Sequence, residues 1–380
     1  MSIISKLIYG ISITAGGIVE SKFNKITKNS REENKKTLLK ILHHNKDTEI
    51  GKRYNFEKIN SINDFKNNFP ITDYSYYEKY IECMANGEKN ILVADKIEYF
   101  GHTSGTTGKQ KLIPATKKAR MIASKYMAFL TNKFSYDNFK ENWNYGKGLM
   151  IADIVTTTYT KGNIKICSAT SGGMKSMEKI LPHMYTSPIE VMKVKDKQSA
   201  LYLHPLFSLN YKKLFYISSV FISNILDLLR ILEDKNEDLI KDIRRGTINS
   251  KINIDKDIRK KLTSMLKPDA ARADFLEGEF NKGFKGICKR IWPKFSYLLC
   301  VTGANFSIYD EKVNYYTDNV PIYSPSYAAS EGMIGINPSA YDEIKYIVIP
   351  DTVFYEFLLV DEEDTNKTYC IDELKIGGRY

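Results

Sequence analysis

Between Asn34 and Phe56 apolar residues recur every three to four positions in NKKTLLKILHHNKDTEIGKRYNF, a spacing that predicts a helix ending near Gly51. Two shorter periodic stretches follow, SINDFKNNFP and TDYSYYEKYIECMANG. Each opens on Ser, Thr or Asp, whose side-chain oxygens accept the free amide protons of a first helical turn. These segments predict a helical lead-in over residues 1–90. After Gly87 the run NILVADKIEYF reads as a strand, and ATKKARMIASKYMAFLTNKF from Ala115 returns to helical spacing. The polar stretch between them, HTSGTTGKQKLIP at 102–114, is then expected to join a strand to a helix.

Further along, GKGLMIADIV and NIKICSAT predict buried strands, while LFYISSVFISNILDLLRILEDKNEDLIKDIRRG predicts one long helical run stopped at Gly246. The last third holds the short β-rich runs FSYLLCVTGANFSIY, VPIYSP, EIKYIVIP and VFYEFLLVD. Strands alternating with helices imply α/β layering, and the β-rich end implies a second sheet. No repeat period and no Gly-, Pro- or Ser-rich linker interrupts the chain. Several sheets layered with helices in one composite α/β domain are therefore expected, with the lead-in followed by a body over 91–380.

Composition changes this picture little. With 380 residues, 43% hydrophobic and 27% charged, the chain has the balance of a folded globular protein. The net charge of +11 and pI near 9.1 arise from lysines scattered among acidic residues rather than from a basic block, so no nucleic-acid partner is expected. Five separated cysteines, none in a C-x-x-C pair, fit free thiols in a reducing cytosol better than disulfides or zinc ligands. The N-terminal IISKLIYGISITAGGIV is shorter than the roughly 20 residues that span a bilayer and contains Lys6. It reads as a helix docked on the domain, with no stable membrane insertion and only loose membrane association as the alternative.

The stretch at 102–114 carries the chemistry. A Walker loop needs G-x-x-x-x-G-K-[ST], but Thr103 stands five residues before Gly108 and Gln110 follows Lys109, so that pattern fails. A related cradle is still available. Gly105 and Gly108 permit positive φ and close backbone approach, Thr103, Ser104, Thr106 and Thr107 offer hydroxyl donors, and Lys109 and Lys111 supply charge. On composition alone an unliganded polar turn accounts for the stretch equally well.

Motifs in order along the chain go further. TSGTTGKQK resembles the phosphate-binding signature of the adenylate-forming superfamily, and its continuation into KLIP resembles the auxin-responsive acyl acid-amido synthetase family. TEIGKRYNFEKINSINDFKNNFPITDYSYYEKYIECMANGEKNIL upstream, and NKGFKGICKRIWPKFSYLLCVTGANFSIY and PIYSPSYAASEGMIGIN downstream, keep the family's order of elements. YAASEG at 327–332 is similar to its Tyr-x-x-Ser-Glu motif; read alone, it is a strand end turning into a capped helix.

The resemblance implies the large N-terminal domain of the adenylate-forming fold. It also implies an ATP- and Mg²⁺-dependent ligase that activates a small carboxylic acid as its acyl-adenylate and then forms an amide with an amino acid. An acyl-CoA-type ligase, or a non-catalytic remnant that binds nucleotide or acyl acid, are the other readings. Site roles follow by match: Lys111 and Glu331 for catalysis, with Glu331 on Mg²⁺. Nucleotide contacts fall to Thr103, Ser104, Gly105, Thr106, Thr107, Gly108, Lys109, Gly303, Tyr327 and Ser330, with Tyr327 stacking on adenine. Segments 168–174 and 301–306 are candidate pocket lining. In the family a Y-R-x-R-x-G-D type element, whose aspartate holds ribose, and a small C-terminal domain follow. This chain ends at LKIGGRY, so the expectation is a truncated large domain over 1–380 without that cap.

Overall fold

The computed structural model describes residues 3–103, 111–360 and 367–380. Five helices lead in: α1 (Ile3–Lys28), α2 (Ser30–His44), α3 (Glu49–Arg53), α4 (Ile62–Asn68) and α5 (Tyr74–Ala85). The single helix expected to end near Gly51 is two. Asn45 turns its amide and side chain back onto the end of α2, and Thr48 caps α3 by accepting from Gly51 N at 3.0 Å. Gly51 lies inside α3, where a Cβ would stand 2.1 Å from Asn45 O. Close approach, not helix termination, calls for glycine there. Ser61 and Asp73 cap α4 and α5 as their types predict, accepting from Asp64 N and Tyr76 N.

The strands, in chain order, are β1 (Ile97–Thr103), β2 (Lys111–Thr116), β3 (Leu149–Ile151), β4 (Thr158–Tyr159), β5 (Lys165–Cys167), β6 (Tyr216–Phe221), β7 (Tyr297–Val301), β8 (Ile322–Tyr323), β9 (Ser326–Ala329), β10 (Gly332–Ile336) and β11 (Ile347–Val348). Among the described residues they form three sheets, ordered β2-β1-β5-β4, β3-β6-β7-β8 and β11-β10-β9. The second is parallel throughout, the third antiparallel, and the first mixed. Layered sheets and helices therefore stand as the sequence leads one to expect.

Two boundaries move. Residues 102–114 do not join a strand to a helix: β1 turns back into β2, with Thr103 paired to Lys111, and α6 (Lys117–Ser124) starts only after β2, capped by Thr116. Pro114 disguises β2 in the sequence, yet β2 is an edge strand, where a missing amide proton costs no ladder bond. The long helical run also opens on a strand. Tyr216–Phe221 is the inner strand β6, whose apolar run is indistinguishable from a helix start by periodicity alone. Helices Ile222–Asp234 and Asn236–Arg245 follow and stop at Gly246 with φ 65°, as expected. Among the described residues VFYEFLLVD forms no ladder, only an isolated bridge between Phe357 and Tyr369.

The largest core packs helices over the parallel sheet, with Trp292 wholly buried and its Nε1 donating to Ser208 O at 3.2 Å. An aromatic layer under the sheet joins Phe23, Tyr126, Phe215, Tyr297 and Tyr323. A third core seats α2–α5 against the mixed sheet. Helix α1 reaches 26 residues, longer than its apolar stretch suggested, and is by length and composition sufficient to cross a membrane. It docks through Tyr9, Gly16, Phe23 and Ile26, continued by a π turn at Lys125–Leu130 and α7 (Thr131–Phe139) packed alongside.

Candidate functional site

Strand pairing fixes both flanks of the polar loop. Gly101, His102 and Thr103 of β1 oppose Ile113, Leu112 and Lys111 of β2. Ser104, Gly105, Thr106, Thr107, Gly108 and Lys109 lie outside the described residues. Helix α5 braces the exit: Tyr74 Oη accepts from Leu112 N at 3.0 Å, and the Lys111 ammonium stands 5.1 Å from the Tyr74 ring centroid. Asp73 beside it is held below the usual carboxylate range by hydrogen bonds from Ser75 Oγ and Tyr76 N, with the Lys111 charge adding to them.

On the other side of β1, Gly101 opposes Cys167 of β5. There the chain turns into helix Ala169–Lys175, capped by Ser168 accepting from Ser171 N at 3.0 Å. Ser171 Oγ in turn donates to the Asp153 carboxylate, and His102 Nε2 lies 3.5 Å from Thr157 Oγ1. Segment 168–174 thus borders the loop's strand, with Gly172 so close to the Tyr99 ring that a Cβ would overlap it at 2.2 Å.

The second cluster gathers where β7 ends. Thr302 Oγ1 donates to Asp310 at 2.6 Å, and Gly303 adopts φ 87°, a conformation open to glycine. A Cβ on Gly303 would meet Ile344 at 3.1 Å. Two residues on, Tyr346 packs 5.7 Å from the Tyr327 ring centroid on β9 and hydrogen-bonds Ser324 Oγ at 2.7 Å. Segment 344–346 therefore ties Gly303 to Tyr327. Phe306 stacks on Phe221 at 5.1 Å across the ends of β6 and β7.

YAASEG does not turn into a helix: β9 and β10 form a hairpin with Ser330 and Glu331 at its turn. Tyr327 is 55% exposed, and Glu331 is exposed with no ion pair among the described residues. No described hydrogen bond or ion pair joins Lys111 to Glu331, and no group of three or more His, Cys, Asp or Glu gathers as a metal cluster among the described residues. The five cysteines are free thiols, four of them buried. Sequence reasoning missed Tyr74 and Tyr346. Neither has a local signal in a chain with 26 tyrosines, because only tertiary packing sets them beside Lys111 and Tyr327.

The parallel sheet with Gly303 at a strand's C-terminal end, the polar loop between paired strands and the aromatic–carboxylate hairpin belong to a fold shared with solved acyl acid amido synthetases. The solved GH3.15 acyl acid amido synthetase superposes with TM-score 0.82 at 24% identity, over 94% of this chain and 64% of that one. AtGH3.15 in complex with 2,4-DB gives 0.84 at 23%, over 96% and 64%. The GH3 family N-terminal domain matches residues 19–322, and the chain belongs to that family. Indole-3-acetic acid-amido synthetase GH3.6 of Arabidopsis thaliana is 30% identical over 350 residues, 88% of this chain and 56% of that protein. Jasmonoyl-L-amino acid synthetase JAR6 of Nicotiana attenuata is 29% identical over 380 residues, 95% and 65% of the two chains. The 4-substituted benzoates-glutamate ligase GH3.12 of Arabidopsis thaliana is 28% identical, over 95% and 64%. The chain spans between about half and two thirds of the length of these relatives.

Proposed function

We propose that this chain binds ATP, activates a carboxylic acid as its acyl-adenylate and passes the acyl group to an amino acid as an amide. The observation that carries this reading is the pairing of Thr103 with Lys111, which sets the two ends of a Ser/Thr/Gly/Lys loop side by side in a GH3 family chain. In the first step a carboxylate oxygen attacks the α-phosphorus in line, and the bond to the β-phosphate oxygen breaks, releasing pyrophosphate. In the second an amine attacks the acyl carbonyl and AMP leaves. Neither step needs a protein nucleophile; each needs two anions aligned and the charge on phosphoryl oxygens offset.

Lys111, fixed by β2 and the Tyr74 ring, supplies that charge on this reading, with Lys109 and the hydroxyls of Thr103, Ser104, Thr106 and Thr107 as donors. Gly105 and Gly108 let backbone amides reach the phosphates. Glu331 fits Mg²⁺ because its carboxylate is exposed and carries no ion pair among the described residues; the ion would screen the phosphates. Tyr327, an exposed ring backed by Tyr346, suits a purine face, with Gly303, linked to it through segment 344–346, and Ser330 at the hairpin turn as the other proposed nucleotide contacts.

Pyrophosphate–ATP exchange tests this, with a panel that includes indole-3-acetic, jasmonic and 4-substituted benzoic acids, the acids in the relatives' names. Acid-dependent exchange is expected, lowered roughly a hundredfold in Lys111→Ala and in Glu331→Gln, the size of loss when one preorganised charge partner is removed. Absence of acid-dependent exchange together with absence of ATP binding overturns the function. Undiminished exchange in either variant overturns its assignment.

A further inference from the structure

The N-terminal half of helix α1 is inverted. A helix packed on a core normally turns its apolar stripe inward. Here the inward positions of the first four turns are Ser5, Tyr9, Ser12 and Gly16, whose polar groups meet the protein: Tyr9 Oη lies 3.2 Å from Tyr216 Oη, and Asn132 Nδ2 donates to Ser12 Oγ at 2.9 Å. The positions about 180° away on the helical wheel, at roughly 100° per residue, are Ile3, Leu7, Ile11 and Ile18. They are 85%, 60%, 58% and 71% exposed. The π turn packed along α1 also exposes an apolar side chain, Met127 at 50%.

Charge continues the same face. Beyond Ile18 the outward positions become Lys22, Lys25 and Lys28, and the one acidic residue of the helix, Glu20, turns inward to pair with Lys133 at 3.3 Å. Lys22 is shared with Asp351 at 3.3 Å, whereas Lys25 and Lys28 have no ion pair among the described residues. An apolar ridge some 15 residues long, followed by unpaired lysines and lacking any outward acid, matches the order of an anionic bilayer surface: acyl chains below, phosphate and carboxylate headgroups at the rim. A second copy fits poorly, since self-pairing would crowd the same lysines against each other or against bare apolar side chains.

We propose that α1 docks the protein peripherally on an anionic phospholipid surface, its N-terminal apolar ridge at the acyl boundary and Lys25 and Lys28 among the headgroups, with its inward face still seated on the domain. Vesicle co-sedimentation of the 380-residue chain tests it, with phosphatidylcholine vesicles and with equimolar phosphatidylcholine–phosphatidylserine vesicles.

The chain is expected to pellet with the anionic vesicles, weakly with the neutral ones, and to be released by high salt. Leu7→Gln/Ile11→Gln/Ile18→Gln, at exposed positions, should keep the circular dichroism of the parent and lose roughly a hundredfold in partitioning. Lys25→Ala/Lys28→Ala should lose roughly thirtyfold on anionic vesicles only, from about 1 kcal/mol per lysine. No pelleting with either vesicle, or binding unaffected by both variants, overturns the proposal. A concentration-dependent dimer that the Gln variant abolishes overturns it in favour of a second copy.

Discussion

His204 sits 1% exposed in helix Lys197–Leu209, its Nδ1 2.7 Å from Ser187 Oγ. Burial favours the neutral ring and pushes its pKa down from 6.5 to about 4. The unfolded chain therefore binds a proton between those values that the folded chain refuses, and stability falls as pH drops from 6.5 toward 4. A gap of that size corresponds to roughly 3 kcal/mol. Urea unfolding from pH 7 to pH 4 should show that loss, and His204→Asn, which keeps a donor and acceptor near Ser187 without the titration, should lose less over the same range. Equal pH slopes in parent and variant would discard the assignment. At this scale the candidate site is only half legible in the sequence. Gly303 and the hairpin residues Tyr327, Ser330 and Glu331 belong to short contiguous motifs, so their types and order are readable. Tyr74 and Tyr346 are not, because each meets its partner across sheets or helices that no local pattern announces.

Among the elements, α1 shows how two glycines in one helix obey different physics. A Cβ on Gly16 would come 2.4 Å from Phe129 O and 2.6 Å from Lys133 Cβ, so the helix can approach the π turn only without a side chain. Gly10 has nothing within 4 Å of its Cβ position. Gly16→Val is expected to lower stability by about 2–3 kcal/mol through overpacking, while Gly10→Ala should raise it by about 0.5–1 kcal/mol through helix propensity. Thermal unfolding of the two variants distinguishes them, and a Gly16→Val protein as stable as the parent would mean that α1 is not seated as described. The periodic helices α4 and α5 were legible with their caps because the signal is local. Strands β2 and β6 were not. A proline masks an edge strand whose register comes from its partner β1, and the inner parallel strand β6, YISSVF, carries no apolar–polar alternation.

In the whole molecule, the parallel order β3-β6-β7-β8 requires each strand to be reached by a crossover, and the helices that make those crossovers end in unpaired carbonyls. Arg272, 3% exposed, is the clasp between two of them. Its Nε donates to Leu209 O at 2.7 Å and its Nη2 to Ile291 O at 3.1 Å, the final residues of helices Lys197–Leu209 and Ile287–Ile291. The guanidinium also lies 5.1 Å from the Phe275 ring centroid. Burial lowers its pKa to about 10, which leaves it charged at neutral pH, and helix C-termini carry the partial negative charge that such a cation offsets. The planar fork matters as much as the charge, since a lysine ammonium has no second arm fixed in the direction of the other carbonyl. Arg272→Met would fill most of the volume and strand both acceptors, an expected loss of roughly 2–4 kcal/mol; Arg272→Lys should recover less than half of it. Because the clasp acts on the frame beneath β6 and β7 rather than at Gly303 or Phe221, the ATP affinity proposed for this chain should, per folded molecule, stay within about twofold in Arg272→Lys, well below the tenfold that 1.4 kcal/mol would bring. Urea unfolding and equilibrium ATP binding on the same variants separate the two effects. A methionine variant as stable as the parent would remove the clasp, and a lysine variant that folds fully yet loses ATP binding would tie it to the site itself.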